Sequence, residues 1–213
     1  MTDQPTRIKN DEFVDYTAPF KHMPLPELQS SSLLTDGVIR LTIMSPDELS
    51  PAYEVHPVWK HATVPSYAFS IVNAVNEAEV FGRLHLRIGH SQFTFIGGHI
   101  GYGVDELYRG HRYATRAAKL AVEFARKVHG LETLFVTCGP ENVASSKTIG
   151  GIEGGVYLGV FDIEKDTPMY AAGDRQVCVF RFGSTNMPYA EERERERLSH
   201  DTTPPYKTSF LSE

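Results

Sequence analysis

Apolar and polar residues alternate along residues 37–45 (GVIRLTIMS), a pattern typical of a strand with one buried face. Strand-like runs follow at residues 67–72, 80–88 and 99–104. Helical spacing then extends over residues 108–128 and ends at Gly130, a residue type that often stops helices. A strand at 132–138, a short helix at 141–149 and strands at 156–161 and 176–182 complete the series. This order predicts a mixed α/β (α+β) domain organised on one sheet.

Composition changes at both ends of this series. Residues 1–35 are rich in proline and serine and predict an extended N-terminal arm, whereas residues 36–183 contain the predicted domain. Between the first two strands, Ser45 and Pro46 followed by acidic residues predict the start of a helix. Residues 184–213 include the run EERERERLSH and predict a charged, poorly ordered C-terminal tail.

The bulk composition is that of an ordinary globular protein, with 41% apolar and 23% charged residues in a chain of 213. No apolar run approaches the ~20 residues that a membrane span requires, and the first residues lack the apolar core of a signal peptide. We therefore expect a cytoplasmic protein without a membrane partner, with Cys138 and Cys178 as buried reduced thiols. The net charge of −6 argues against nucleic acid as the main partner.

A glycine-bearing turn after the fourth predicted strand opens the long helix. Helix N-termini favour anions such as phosphate, because their first N–H groups lack partners within the helix. The helix presents four cations at helical spacing on one face: Arg109, Arg112, Arg116 and Lys119. They indicate a polyanionic ligand, with a solvated helix face as the alternative. A dinucleotide-binding motif is excluded because Glu106 stands where its last glycine belongs, and a P-loop because Ser146 replaces the glycine before its lysine.

The segment VDELYRGHRYA resembles the pyrophosphate loop of GCN5-related N-acetyltransferases (GNAT), whose pattern is [Q/R]-x-x-G-x-[G/A]. Arg109 and Ala114 match its first and last positions, while Arg112 stands where glycine is expected. The tract IGY before this loop and the element PENVAS after the next strand are similar to the ribosomal-protein N-acetyltransferase-like branch. The resemblance extends from residue 37 to residue 182.

This resemblance implies a mostly antiparallel central sheet with flanking helices, in which the splayed fourth and fifth strands form the acyl-CoA cleft. Acetyl-CoA is the implied acyl donor, and no metal is implied. Asn142 and Ser145 would line the pantetheine or thioester end, with a helix cap and a neutral helix residue as the alternative. The implied cofactor-binding residues are Tyr102, Gly103, Val104, Arg109, Gly110, His111, Arg112, Tyr113, Ala114, Asn142 and Ser145.

The resemblance also supplies candidate catalytic residues. Many relatives protonate the leaving thiolate with a tyrosine, but Ile149 occupies that position here, so Ser145 is the expected acid, with Tyr102 and Tyr157 as substitutes. The positions at which relatives often carry a glutamate base hold Gly98 and Thr137. His99 is the leading replacement, and the other nearby candidates are His85, Asp105 and Glu106.

The absence of an obvious base bears on the acceptor. An amine of pKa ~10.4 costs about 4.6 kcal/mol to deprotonate at pH 7, whereas an α-amine of pKa ~7.8 costs about 1.1 kcal/mol. We therefore expect an acyl-CoA-dependent N-acyltransferase that acts on an α-amino group or a small-molecule amine, bound by residues 51–65 and 157–170. The alternatives are a GNAT-fold acyl-CoA sensor without transfer activity and a binding protein for another anion such as a nucleotide. A homodimer is one open option for the oligomeric state.

Overall fold

The computed structural model describes residues 31–44, 66–90, 92–165 and 167–183. The predicted helix start at Ser45, the acceptor segment at 51–65, most of the arm and the whole tail lie outside these residues. The described strands are β1 (Ile39–Ile43), β2 (Ser66–Asn73), β3 (Val80–Arg87), β4 (Ile100–Val104), β5 (Thr133–Cys138), β6 (Gly155–Asp162) and β7 (Gln176–Gly183). The described helices are α1 (Gln92–Gly97), α2 (Tyr113–His129), α3 (Val143–Gly150) and α4 (Pro168–Ala171).

The strands form two antiparallel sheets. The first has the order β1-β2-β3-β4, and the second has the order β5-β7-β6. The break between the sheets falls between β4 and β5, which confirms the predicted mixed α/β fold with its splayed fourth and fifth strands. The single predicted sheet is therefore divided into two separately hydrogen-bonded sheets, with four and three strands, that meet at this break.

Two apolar clusters cover the sheets. The larger one lies between the first sheet and the buried face of α2, and it includes Leu84, Leu86 and Phe124. The smaller one lies on the second sheet and includes Phe95 and Ile96 of α1. Strand β5 contributes to both, because Leu134 and Val136 belong to the first cluster and Phe135 belongs to the second. A strand with both faces covered explains why this segment reads as a continuous apolar run.

Helix α2 has an amphipathic sequence whose small residues allow close packing on the sheet. Its buried side chains are Ala117, Ala118, Leu120, Ala121, Val122, Phe124 and Ala125. Gly130 ends the helix in the left-handed conformation, and its N–H donates to the carbonyls of Ala125 and Arg126. The predicted stop is therefore confirmed. The helix begins at Tyr113, later than predicted, because a 3-10 turn (Glu106–Tyr108) and a loop precede it.

The end of the predicted N-terminal arm packs against the domain. Residues Ser32–Leu34 form a 3-10 turn that Ser31 caps, and the side chain of Leu34 is fully buried in the larger cluster. Asp36 then accepts hydrogen bonds from the N–H groups of Val38 and Ile39, which fixes the entry into β1. Among the described residues, no helix is both long and apolar enough to cross a lipid bilayer.

Candidate functional site

One edge of β4 faces away from β3 toward the gap between the sheets. The N–H of Arg87 donates to the His99 carbonyl, and the N–H of Asp105 donates to the Phe81 carbonyl. Because hydrogen-bonded pairs alternate along an antiparallel ladder, Gly101 and Gly103 also bond to β3. The backbone groups of Tyr102 and Val104 therefore point into the gap, which is the geometry that a pantetheine arm requires for strand-like pairing.

His99 joins the two sheets at the closed end of the gap. Its backbone N–H donates to the Phe135 carbonyl at 2.6 Å, and its Nδ1 accepts the Phe135 N–H at 2.9 Å. Its Nε2 lies 3.0 Å from the Gly89 carbonyl oxygen and must carry the ring proton, since Nδ1 is the acceptor. Complete burial, helped by the charge of His90, lowers the pKa of His99 to about 3. The imidazole is thus neutral, and neither ring nitrogen has a free lone pair.

This arrangement does not support His99 as the general base, and it favours a structural role at the junction. The next residue upstream explains why the usual base position lacks a carboxylate. Gly98 adopts φ +71°, and a Cβ there would lie 3.1 Å from Thr137 Oγ1 and 3.2 Å from the Thr137 nitrogen. A Cβ at this position would therefore press on β5, in a backbone conformation that residues other than glycine rarely adopt. Sequence reasoning had no signal for this close approach.

The loop between β4 and α2 has two residues in the left-handed conformation. Gly110 has φ +86°, and Arg112 has φ +61° and is the only residue other than glycine with positive φ among those described. Arg112 stands at the N-cap of α2 and makes no side-chain cap, so the first N–H groups of the helix are available to an anion. The backbone conformation matches the glycine expected there, although the side chain is arginine. Left-handed strain in a bulky residue is characteristic of functional loops.

The four predicted cations have different partners. Arg116 pairs with Asp36 at 2.6 Å, and Lys119 pairs with Glu153 at 3.3 Å. The Nε of Arg109 donates to the Val104 carbonyl at 3.2 Å, at the free edge of β4. Among the ion pairs between described residues, none involves Arg109 or Arg112. Of the four predicted cations, Arg109 and Arg112 therefore have no ion-pair partner among the described residues, and both lie at the loop that includes the exposed His111.

Tyr102 and Ser145 meet across the gap. The Tyr102 hydroxyl lies 2.9 Å from Ser145 Oγ and 3.3 Å from the Ser145 carbonyl oxygen. Burial raises the pKa of Tyr102 to about 12, so its hydroxyl keeps its proton at neutral pH. Asn142 caps α3, since its Oδ1 accepts the Ser145 N–H at 3.0 Å, as in the alternative interpretation of this residue. The cap fixes the start of α3 and with it the position of Ser145.

A thiol pair lies behind Ser145. Cys138 and Cys178 face each other across β5 and β7, and both are free and buried. The pKa of the Cys138 thiol is raised mainly by a hydrogen bond with Cys178 and, to a smaller extent, by burial. The Tyr157 hydroxyl lies 3.9 Å from Cys178 Sγ, so it is directed at this pair rather than at β4. Within the described residues, no group of three or more His, Cys, Asp or Glu side chains is arranged to hold a metal ion.

The comparison with protein families decides the membership of this fold. The family model described as the acetyltransferase (GNAT) domain matches residues 36–151, which is more than half of the chain. This chain belongs to the GNAT family of acetyltransferases. The predicted family is thereby confirmed, and the free strand edge, the left-handed loop and the start of α2 all lie within the matched residues.

Solved structures with a similar fold include three acetyltransferases. The ribosomal-protein-S5-alanine acetyltransferase from Vibrio fischeri has 21% identity over 57% of this chain and 63% of its own, with a TM-score of 0.45. RimJ from Mycobacterium smegmatis, in complex with CoA-disulfide, has 18% identity over 63% of this chain and 60% of its own, with a TM-score of 0.43. Spermidine N-acetyltransferase from Vibrio cholerae has 11% identity over 59% of this chain and 68% of its own, with a TM-score of 0.42.

These similarities are too low to carry an argument about substrate. The chain spans less than two thirds of the length of the first two enzymes. No curated protein matches the sequence.

Proposed function

We propose that this GNAT domain transfers an acyl group from acyl-CoA, with acetyl-CoA as the donor, to a primary amine of low pKa. The observation that carries the proposal is the Tyr102–Ser145 pair beside the free edge of β4. It places two hydroxyl groups next to the backbone that would hold the thioester. The acceptor is an α-amino group or a small-molecule amine, and assignment to the ribosomal-protein N-acetyltransferase-like branch is part of this proposal.

The loop residues fit a pyrophosphate. The N–H groups that follow Arg112 at the start of α2 would bind phosphate oxygens, and the guanidinium groups of Arg109 and Arg112 would add charge-assisted hydrogen bonds. Gly110 and His111 complete the loop, and Tyr113 and Ala114 form the first turn of the helix. The pantetheine arm would then run along the edge formed by Tyr102, Gly103 and Val104, toward Ser145 and the Asn142 cap.

Each chemical requirement of the transfer has a candidate group. The lone pair of a neutral amine forms the new C–N bond at the thioester carbonyl, and the C–S bond breaks. The backbone N–H of Val104 would stabilise the negative charge that develops on the carbonyl oxygen. The Ser145 hydroxyl, hydrogen-bonded to Tyr102, would protonate the departing thiolate and regain a proton from solvent, while the ammonium proton passes to water.

The acceptor preference follows from the state of His99. Because both of its ring nitrogens are engaged, this imidazole does not take the amine proton. An amine that is already partly neutral at pH 7 does not need a strong base. The proposed acceptor class therefore agrees with the structure of the junction. His85, Asp105 and Glu106 remain untested as substitutes for the base.

A second candidate function is an acyl-CoA-binding sensor without transfer activity. The observation that favours it is the same engagement of His99, together with Gly98 and Thr137 at the usual base positions. This alternative predicts CoA binding without transfer to any amine.

Five further expectations remain predictions: the cytoplasmic location, the absence of a nucleic-acid partner, a homodimer, and the bounds of the arm and of the tail.

Isothermal titration with acetyl-CoA and CoA is the first test. We expect micromolar binding by the unaltered protein and a sharp loss in Arg109→Ala combined with Arg112→Ala. A panel of amines with α-amino groups and lysine-like side chains follows, with release of free thiol as the readout. Binding without transfer would favour the sensor, and the absence of binding would reject both functions. Faster transfer to lysine-like amines at neutral pH would refute the acceptor class.

A further inference from the structure

The face of the first sheet that points away from α2 carries a cationic row on β3. Leu84 and Leu86 of this strand are fully buried in the core under α2. Because side chains alternate along a strand, Arg83, His85 and Arg87 lie on the opposite face. The sequence carries this alternation as VFGRLHLR, within the strand-like run at residues 80–88. The row places three basic side chains at successive positions on one face.

Small residues flank this row on both sides. In the observed register, Arg83 stands between Ser70 of β2 and Gly103 of β4. His85 stands between Ala68 and Gly101 in the same way. Among the described atoms, none lies within 4 Å of a Cβ added at Gly101 or Gly103. As far as the described residues go, the basic side chains therefore border open space over β4.

The charge of this row is not balanced within the described residues. Arg40, on the same face, pairs with Glu77 at 3.2 Å, but no ion pair between described residues includes Arg83 or Arg87. Arg87 is half-buried and donates from Nη1 to the carbonyls of Gly98 at 3.0 Å and Gly97 at 3.5 Å. A partly buried guanidinium that has only neutral acceptors is costly, and an anion would relieve that cost.

The electrostatics of His85 reflect the same positive field. Burial lowers the pKa of His85, and the charges of Arg87 and Arg83 lower it further. The imidazole is therefore neutral at pH 7 and leaves the two arginines as the charges of the row. The field they create favours a negatively charged group above the strand.

This face is the open side of the proposed transfer site. On the α2 side of β4, Tyr102 and Ser145 fill the space next to the strand edge. On the other side, Gly101 and Gly103 have no side chains, and no described atom lies within 4 Å of a Cβ added to either, so we infer that the amine approaches the thioester over them. Neighbouring strands lie about 4.8 Å apart. An anion held by β3 would thus lie within the length of a small molecule from an amine over β4.

We propose that Arg83 and Arg87 bind a carboxylate or phosphate group of the acceptor, so that the enzyme acylates anionic amines in preference to neutral ones. This inference rests on the proposed N-acyltransferase function. The anionic group is not altered in the reaction, and it serves to position the amine and to increase affinity. Arg83 and Arg87 are thus positioning and specificity residues for the acceptor.

Matched acceptors test this inference because they differ only in the anion. One pair is alanyl-alanine and its C-terminal amide, and the other is glucosamine 6-phosphate and glucosamine. The protein variants are Arg83→Gln, at an exposed position, and Arg87→Gln. Arg126→Gln, an exposed arginine on α2, is the control for loss of one positive charge. Initial rates of thiol release give kcat and KM separately, and thermal melting checks that each variant folds.

We expect kcat/KM to be at least tenfold higher for the anionic member of each pair. Arg83→Gln should raise KM for the anionic acceptors by at least fivefold and leave kcat/KM for the neutral ones unchanged, while Arg126→Gln has no effect. Equal rates for both members of each pair, with no change in Arg83→Gln or Arg87→Gln, would overturn the inference but leave the transferase intact.

A direct binding measurement separates this inference from the proposed function. If no amine is acylated, glucosamine 6-phosphate is titrated onto the CoA-saturated protein. Binding that is absent for glucosamine and lost in Arg83→Gln would support the anion site without transfer. No binding of glucosamine 6-phosphate, or binding that persists in both arginine variants, would reject it.

Discussion

The conformation of Arg112 permits a prediction with two separable parts. This residue adopts φ +61° and ψ +21° at the start of α2, a conformation that costs a residue with a Cβ ~1–2 kcal/mol. In the proposed complex its guanidinium binds the pyrophosphate, and a hydrogen bond to a charged group contributes ~1.5–3 kcal/mol. Arg112→Ala removes the charge and keeps the strain, whereas Arg112→Gly removes both.

The two variants should therefore differ in stability. Glycine relieves the left-handed strain, but its greater freedom in the unfolded chain offsets about 0.5–1 kcal/mol of the gain. We expect the unfolding free energy of Arg112→Gly to exceed that of Arg112→Ala by a net ~0.5–1 kcal/mol. For a domain of this size that difference corresponds to a shift of about 1–4 °C in the melting temperature, which differential scanning calorimetry without ligand measures.

Affinity for CoA should respond to the charge instead. Losing a contact of ~1.5–3 kcal/mol weakens binding by a factor of about 10 to 100, so both variants should bind CoA less tightly than the unaltered protein. Isothermal titration provides the dissociation constants, and Arg126→Gln serves as the charge control. If Arg112→Gly binds CoA as tightly as the unaltered protein, arginine does not act as a phosphate clamp. If it melts no higher than Arg112→Ala, the strain argument is refuted.

Three further predictions concern the junction and the hydroxyl pair. Tyr102→Phe and Ser145→Ala should each lower kcat by about 100-fold. The double variant should be little worse than either single variant, because the pair acts as a unit. If steady-state rates show that the two losses multiply in the double variant, the pair does not act as a unit. Gly98→Ala should lose ~1–3 kcal/mol of unfolding free energy, measured in urea. Gly97→Ala is the control and should lose less, because no described atom lies within 4 Å of a Cβ added there. Equal losses would contradict the close approach of Gly98 to Thr137. The pKa of His99 falls from 6.5 to about 3 on folding, so the unfolded chain binds the extra proton. Stability should therefore decline as pH falls from 6.5 toward 3, by up to ~1.4 kcal/mol per pH unit for this group. Urea unfolding at pH 7, 6, 5 and 4 should show a shallower decline for His99→Gln, and an unchanged slope would refute the argument.

The described strands were largely predictable because each has a simple hydrophobic pattern. Strand β1 is predictable from its alternation, and β5 from its apolar run. Helix α1 (Gln92–Gly97) was missed because its aromatic residues are equally typical of strands and glycines follow it directly. The start of α2 was placed too early because no propensity rule assigns the left-handed conformation to Arg112.

The candidate site was predictable only as single residues. Tyr102 and Ser145 were both named from motifs, but their hydrogen bond joins positions 43 residues apart in the sequence, and no local pattern encodes it. His99 was assigned as a base because it is a histidine near the site. Its core position depends on the backbone of β5 and on the Gly89 carbonyl, which the sequence does not reveal. Tertiary hydrogen bonding therefore determined the role of this side chain.

The division between β4 and β5 has a consequence for how the chain folds. Each sheet consists of strands from one continuous stretch of sequence, 39–104 for the first and 133–183 for the second. Strand pairing among the described residues is therefore confined to each stretch, and none connects one half to the other. The cleft between the sheets is then created only when the two halves dock through α2 and His99. The site therefore requires both halves, and a chain in which only one half is folded would have a native-like sheet without the cleft.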